Sequence, residues 1–532
     1  MSDTAGGGHT GLAPGGHNPW VVAIVVSIAT FMEVLDTTIA NVALRNIAGG
    51  LAVGPDEAAW VVTTYLVANA IVLCASGWAA VYFGRKRFYM ACVLLFTISS
   101  VACGFATSLD QLLLFRIMQG LGGGGMAPVS QSILTDSFPP QKRGQAFALY
   151  GIAVVVAPVV GPTLGGWITD NYSWHWVFLI NAPVGVLSLA LVHIFVQDSP
   201  AAVAKRKTSG GALNFDLVGF TLLATALGSL EVVLDQGQRD DWFGSNFIIT
   251  FAIVSALAFI AFVPWALSRK EPIIDLRLLL TRQFGMCFVV MLATGAILIA
   301  TTQFLPELTQ TLFGYNATLA GLVLAPGGLV TMFMMFVIGR VSGNVQPKYL
   351  IATGAAVIAL GMYKLTSLNP DTTFAFFAWS RIYIGIGLPL IFISITSASY
   401  DGIRPDQTDQ ASAMINMARN LGGSMGVSLA QTVLAQRTQF HQSRLVEHVY
   451  DANPHYQAML KTLQHYFTER GATLADATQQ AIAAVGQTVA GQASLLGYID
   501  VFFMLCLLSA SAVPLALLLR SVKLGGAPAG GH

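Results

Sequence analysis

Charge is scarce in this chain. Asp, Glu, Lys and Arg together make up 10% of its 532 residues, where soluble domains carry about 25%. That scarcity excludes an ordinary soluble domain. The net charge of +1 gives no basic field for a nucleic-acid partner. Cysteine is rare and odd in number. Cys74, Cys92, Cys103, Cys287 and Cys506 all fall in apolar segments without metal-ligand spacing, so neither a disulfide framework nor a zinc site is expected. The first 19 residues hold no Lys or Arg, and the first apolar run is longer than a signal-peptide core, so it reads as a retained helix. A phosphate-binding Gly-x-x-x-x-Gly-Lys-Ser/Thr loop is also missing, which argues against ATP-driven work. No cofactor is expected.

What remains is apolar. Hydrophobic residues make up 55% of the chain, in runs of the roughly 20 residues that cross a bilayer. The expectation is an all-α polytopic membrane protein with about fourteen spans. They lie roughly at 20–41, 58–82, 89–108, 112–134, 146–169, 174–196, 217–234, 246–268, 284–305, 317–339, 349–368, 374–398, 412–436 and 497–520. Barrel strands would be about ten residues long and alternating. Loops rich in Lys and Arg stay in the cytoplasm. Arg85, Lys86 and Arg87; Lys142 and Arg143; Lys205, Arg206 and Lys207; and Arg269, Lys270, Arg277 and Arg282 follow alternate spans. Arg45, Arg239 and Lys364 are the exceptions. Both termini are then cytoplasmic. Trp60, Trp78, Trp167, Trp174, Trp176 and Trp265 sit near span ends, as an interfacial belt would.

Span five holds Ala157 to Trp167, with Pro158 and Pro162 four apart and Gly161 and Gly165 four apart. The prolines remove backbone donors, and the glycines bare one face for a neighbouring helix. This helix reads as built to bend and pack closely; a kinked helix without a moving role is the plainer reading. Arg116-Ile-Met-Gln-Gly120-Leu-Gly122 in span four is echoed by Arg381-Ile-Tyr-Ile-Gly385-Ile-Gly387 in span twelve, and Gly84-Arg85 by Gly339-Arg340. Two like halves with a path between them form one transporter architecture. The expected organisation is a tail (1–19), a six-helix half (20–196), a linker with an inserted helix pair (197–283), a second six-helix half (284–520) and a tail (521–532). The second half includes an outer loop, 437–496, in which Met459, Leu460, Leu463 and Phe467 recur at helical spacing and predict an amphipathic hairpin. Its histidines (441, 448, 455 and 465) read as solvated surface.

Charged groups inside a bilayer cost at least about 2.5–3.5 kcal/mol each, so they mark function. Asp36 lies deep in span one, with Glu33 on the same helix face. A carboxyl in such a site could take up a proton on one side and release it on the other. The alternative is a hydrogen-bonded Asp that only ties helices together. Glu33 is a second proton site, a contact for cationic substrates or a solvated bystander. Arg116 keeps its charge and can favour the ionised form of a nearby acid, or pair structurally. Arg381 and Arg419 are of the same type in the second half. Glu231 and Asp235, near the outer end of span seven, read as solvated and without a role.

Leu35 to Leu44, Arg116 to Gly124, Gly151 with 157–166, Trp174 to Pro183 and Arg419 to Ser424 together resemble motifs of the major facilitator superfamily, specifically its fourteen-helix drug/proton antiporters of the EmrB type. The resemblance runs from Pro19 to Arg520. After span two, Gly77, Gly84, Arg85 and Lys86 resemble the family's cytoplasmic-loop motif, with Val81 and Tyr82 where Asp and Arg are usual. The resemblance implies proton coupling through Asp36, Glu33 and Arg116. It gives Gly151, Pro158, Gly161, Pro162, Gly165 and Gly166 to the antiporter motif. It implies multidrug efflux across an inner membrane by alternating access, exchanging protons for small hydrophobic or amphipathic substrates. A periplasmic adaptor and outer-membrane channel are possible partners in that setting. The competing expectations are a nutrient importer of the same family and, further off, a channel or membrane enzyme.

Overall fold

The computed structural model describes residues 16–198, 215–269, 272–404 and 407–521. The loop basic residues Lys205, Arg206, Lys207 and Lys270, and most of both tails, lie outside the described residues. Among the described residues there is no strand. The first half comprises α1 (Pro19–Leu51), α2 (Pro55–Phe83), α3 (Arg85–Cys103), α4 (Leu109–Gly123), α5 (Met126–Ser137), α6 (Pro140–Asn171), α7 (His175–Leu179) and α8 (Asn181–Phe195). The inserted pair is α9 (Leu217–Gln236) and α10 (Asn246–Ser268). A short α11 (Arg277–Leu280) leads to α12 (Arg282–Leu312), α13 (Ala317–Val341), α14 (Pro347–Leu365), α15 (Phe374–Ser399), α16 (Thr408–Val446), α17 (Pro454–Glu469) and α18 (Leu474–Leu517).

Twelve of the described helices are long and apolar enough to cross a membrane. Helices also occupy the positions expected for spans four and thirteen, but with different character. The run 112–134 divides at Gly124-Gly125 into α4 and α5, each too short to be counted alone. Glycine at these positions has a packing reason. A Cβ on Gly120 or Gly124 would strike the backbone carbonyls of Tyr65 and Asn69 in α2, and one on Gly122 would sit 2.5 Å from the backbone N of Phe96 in α3. The other, α16, is rich in polar residues because it lines contacts between the halves rather than facing lipid.

The two halves repeat one packing scheme. In the first, α1 packs on α6, α2 and α3 on α4, and α3 on α8. In the second, α12 packs on α16, α13 and α14 on α15, and α14 on α18. Large apolar side chains such as Ile98, Leu257, Ile260, Phe333 and Leu507 are exposed. In a bilayer that surface meets lipid, while the helices satisfy their own backbone groups.

The antiporter-like segment lies in α6, which continues as helix through both Pro158 and Pro162. Its bare face meets α1: Gly161 abuts Thr38, and a Cβ on Gly165 would sit 3.2 Å from Ile39 Cγ2 and 3.4 Å from its Cα. Gly151 faces the second half instead, beneath Met335 and Phe392, and Gly166 is buried. Leu at 165 must displace α1 itself. Overpacking of this kind costs about 1–3 kcal/mol. Gly165→Leu should therefore reduce transport at least about tenfold while membrane-inserted protein falls less than about threefold. Flux per molecule, normalised to the monodisperse fraction, checks this; normal flux would show that close α1–α6 packing is dispensable.

Two expectations need correction. The loop 437–496 is mostly a continuation of its flanking helices. At 1.5 Å per residue, the 39 residues of α16 and the 44 of α18 span about 58 and about 66 Å, well beyond a core of about 30 Å. Only α17 and its two turns connect them. The predicted amphipathic helix does form as α17, which packs on α18 with Leu460 buried, Leu463 and Phe467 half-buried and Met459 exposed. Trp174 is not in an interfacial belt: it is buried, stacked on His175 with ring centroids 3.7 Å apart.

Candidate functional site

Asp36, midway along α1, is fully buried. Three side chains from two other helices converge on its carboxylate. Arg116 Nη1 of α4 donates to Oδ2 at 2.6 Å. Gln119 Nε2, one turn further along α4, donates to Oδ1 at 2.8 Å, and Asn181 Nδ2 at the start of α8 donates to Oδ1 at 2.6 Å. Arg116 is itself fixed. Its Nε donates to Val61 O at 2.9 Å, its Nη1 also meets Gln119 Oε1 at 2.8 Å, and its guanidinium lies 4.3 Å from the Tyr65 ring centroid. Asn181 is held in turn by Ser100 Oγ, 3.0 Å away, which donates to Phe178 O at 2.9 Å. Both charges have no exposed side-chain surface. A buried pair is tolerated only with good geometry and satisfied neighbours, which is what these amides supply. One donor is left over: Arg116 Nη2 has no hydrogen-bond partner.

Glu33 lies one turn away on α1 and is also buried, so the solvated reading is corrected. It does not join the Asp36 cluster. Its Oε1 accepts from Asn69 Nδ2 at 3.2 Å, and its Oε2 is unpartnered. Asn69 Oδ1 accepts from Asn420 Nδ2 of α16 at 3.4 Å, and Asn420 Oδ1 accepts from Arg419 Nε and Nη2, both at 3.3 Å. A polar chain thus runs from Glu33 in the first half to Arg419 in the second.

Arg381 has no acid. Its Nη1 donates to Thr301 Oγ1 of α12 at 3.1 Å, and its Nε is unpartnered. Arg116 reaches a residue 80 positions earlier, and so does Arg381. The same construction occurs in both halves, with Asp in one and Thr in the other. The proton-binding chemistry is available only in the first.

Arg85 joins the halves at another contact. Its Nε and Nη2 donate to Asp409 Oδ1 and Oδ2 of α16, each at 2.9 Å, and its Nη1 pairs with Asp136 at the end of α5. Such fork-on-carboxylate pairs are the strong ones. Gly77 lets α2 approach: a Cβ there would sit 3.4 Å from the Asp409 backbone. Gly84 has φ 89, a conformation that favours glycine, and it turns the chain between α2 and α3. The Lys86 side chain donates to His193 O at 2.6 Å. Around this pair, Ser412 Oγ donates to Pro128 O at 2.7 Å and Asn416 Nδ2 to Gln131 Oε1 at 3.0 Å. The halves are therefore latched at this end. Losing Arg85 leaves two acids unpaired, and breaking a buried pair costs about 3–5 kcal/mol. In Arg85→Ala, a thiol reagent should label Ser412→Cys at least about tenfold faster than in the parent. An unchanged labelling rate would show that Arg85 does not hold this end closed.

Sequence reading named Asp36, Arg116 and Arg85 but not Gln119, Asn181, Asp136 or Asp409. Glu231 also needs correction. It is buried and accepts a hydrogen bond from Ser424 of α16. Asp235 is partly buried against Thr63 of α2. Among the described residues no cluster of His, Cys, Asp and Glu could hold a metal.

Known proteins share this architecture. The Major Facilitator Superfamily profile matches residues 26–427. The multidrug export protein EmrB of Escherichia coli (strain K12) is 36% identical over 490 residues, covering 91% of this chain and 92% of its own length. The fatty acid resistance protein FarB of Neisseria gonorrhoeae is 33% identical over 511 residues, covering 96% and 97%. Among solved structures, the proton:xylose symporter XylE superposes with a TM-score of 0.58 at 16% identity, over 93% of this chain and 96% of that one. The human organic anion transporter MFSD10 gives 0.55 at 13% identity, over 92% and 99%. At those identities the structures speak for the fold alone. Helix order, repeated halves, profile and full-length relatives agree: the chain is a multi-pass membrane protein that belongs to the major facilitator superfamily of transporters.

Proposed function

We propose that this protein exports hydrophobic or amphipathic toxic compounds in exchange for protons, by alternating access between its two six-helix halves. The observation that carries the reading is the dry Asp36 site. A carboxylate sealed among Arg116, Gln119 and Asn181 is a group that can bind one proton and whose surroundings change when helices shift. The names of the relatives supply the cargo class: multidrug export for EmrB and fatty acid resistance for FarB. Each charge moved inward releases about 2.3 kcal/mol per 100 mV, enough for roughly a fifty-fold gradient of cargo.

In this reading the Arg85 latch closes the cytoplasmic end, and the positive loops fix that end inside an inner membrane, with both termini cytoplasmic. The opposite end holds a cavity of about 470 Å³ between α12, α16 and the segment after α9, lined by Phe304, Glu307, Arg239 and several glutamines. The extensions of α16 and α18 with α17 would then stand in the periplasm, where they offer a surface to an adaptor that leads to an outer-membrane channel. Residues 20–196 and 284–520 act as the two rocking bodies, and Arg381 and Arg419 as second-half counterparts that bind no proton.

The test is growth. An efflux-deficient host carrying this chain should tolerate several structurally unrelated apolar toxicants at least about fourfold above the control, and a proton uncoupler should remove the gain. Accumulation of a nutrient instead of resistance would favour the importer.

A further inference from the structure

The inserted helix α9 touches both halves. It packs on α2 and on α16. Near its end, Glu231 accepts the Ser424 hydroxyl of α16, while Asp235, one turn on, accepts the Thr63 hydroxyl of α2. Gln236 Nε2 also donates to Thr63 Oγ1, at 2.7 Å. One helix therefore grips a neighbour from each half. Glu231 is 5% exposed. Ser424 Oγ also lies 3.4 Å from Asn420 O, and Asn420 is the residue that meets Asn69, the donor to Glu33. Glu33 and Glu231 are the two ends of one polar trail across α1, α2, α16 and α9.

Among the described residues no Lys, Arg or His forms an ion pair with Glu231. The charged group that faces it is Asp235 on its own helix, itself opposed by Arg239. From Asn246 to Ser268, α10 carries no Asp, Glu, Lys, Arg, His, Cys or Tyr. Beyond Glu57, α2 carries no Asp, Glu, Lys, Arg or His. On α16 the nearest charge along the chain is Arg419, turned toward Asn420. Ionisable groups at such depth mark paths for ions or substrate.

We propose that Glu231 is a second proton-binding residue of the transport cycle, and that its charge state sets how firmly the inserted helix holds α16 against α2. The role rests on the proton-exchange reading above. Ionised Glu231 accepts a charge-assisted bond from Ser424, about twice as strong as a neutral one. When the carboxylate takes a proton from water on one side, that bond weakens and α16 is freed to move relative to α2. When the proton leaves to the other side, the bond re-forms. Only an O–H bond is made and broken, and the proton is conserved. A neutral Gln accepts only the weaker, uncharged bond and cannot titrate, so Glu231→Gln fixes the contact in its weakened form.

The experiment follows spin-label distances between Asp56→Cys on α2 and Leu429→Cys on α16, with the native cysteines replaced, from acid to alkaline pH. No cargo and no gradient are present. In the parent, a second distance population should grow as pH falls. Glu231→Gln should show that population at every pH. Ser424→Ala, which keeps the acid but loses the donor, should move the midpoint up by about one pH unit. A parent insensitive to pH, or a Glu231→Gln variant that tracks the parent, overturns the proposal. If Glu231→Gln does not purify as a monodisperse protein, an unmoved midpoint in Ser424→Ala overturns it alone. Failure of the proton-exchange reading is scored separately, by gradient-driven export in Asp36→Asn.

Discussion

Asp36→Asn should abolish uphill export while leaving the protein folded and inserted. Asn is nearly isosteric and keeps one carbonyl oxygen for the donors now supplied by Arg116, Gln119 and Asn181. Arg116 loses its counter-ion but retains Val61 O, Gln119 Oε1 and the Tyr65 ring. The fold should therefore survive with reduced stability, since removing one partner of a buried pair costs about 3–5 kcal/mol. The proton site does not survive. Without it the roughly fifty-fold gradient available per charge at 100 mV should fall to no accumulation. Downhill movement of cargo in proteoliposomes should slow but persist. Gradient-driven export by Asp36→Asn at the parent rate would remove Asp36 from the mechanism.

Arg116→Ala should be nearly inactive, and Arg116→Lys partly active. The guanidinium makes three different contacts in one plane: Asp36, Val61 O and Gln119 Oε1. A lysine ammonium can restore the charge beside Asp36 but is a point donor without the planar fork. It should hold the charge beside Asp36 yet couple it less well to α2, where Val61 sits. Alanine leaves Asp36 with two amide donors and no cation, and opens a cavity beneath Tyr65. Transport rates of the two variants in proteoliposomes, at matched protein, check the order parent, Lys, Ala. Equal rates for Lys and Ala would show that charge at 116 is not what matters.

The spans, the glycine face of α6 and Asp36, Arg116 and Arg85 as notable charges could be read from residue type and local spacing; the structure buries all three. A charge in an apolar run is visible without a structure. What could not be read was pairing. Gln119 sits inside the Arg116–Gly124 motif and Asn181 inside the Trp174–Pro183 motif, yet nothing local says that both amides turn toward α1. Asp409 lies 324 positions from Arg85, so sequence alone could not offer it as a partner in place of the acid absent from position 81. Glu231 reads as solvated because nearness to a helix end suggests water, and only packing of α9 against α2 and α16 buries it. The break at Gly124-Gly125 was hidden for a similar reason: an apolar run does not reveal where its backbone must yield to α2 and α3.

Coupling requires that cargo and proton compete through the Asp36 cluster. Linkage then makes the effect reciprocal: cargo binding lowers proton affinity by the same factor by which proton binding weakens cargo binding. The most direct measurement is proton release into a weakly buffered detergent solution when a transported toxicant is added to purified protein, repeated across pH. The parent should release protons over the pH range in which Asp36 is protonated before cargo binds. Arg116→Ala should release fewer or show a displaced pH dependence, and Asp36→Asn should release none from this site. Identical proton numbers with identical pH dependence in parent, Arg116→Ala and Asp36→Asn would contradict the account.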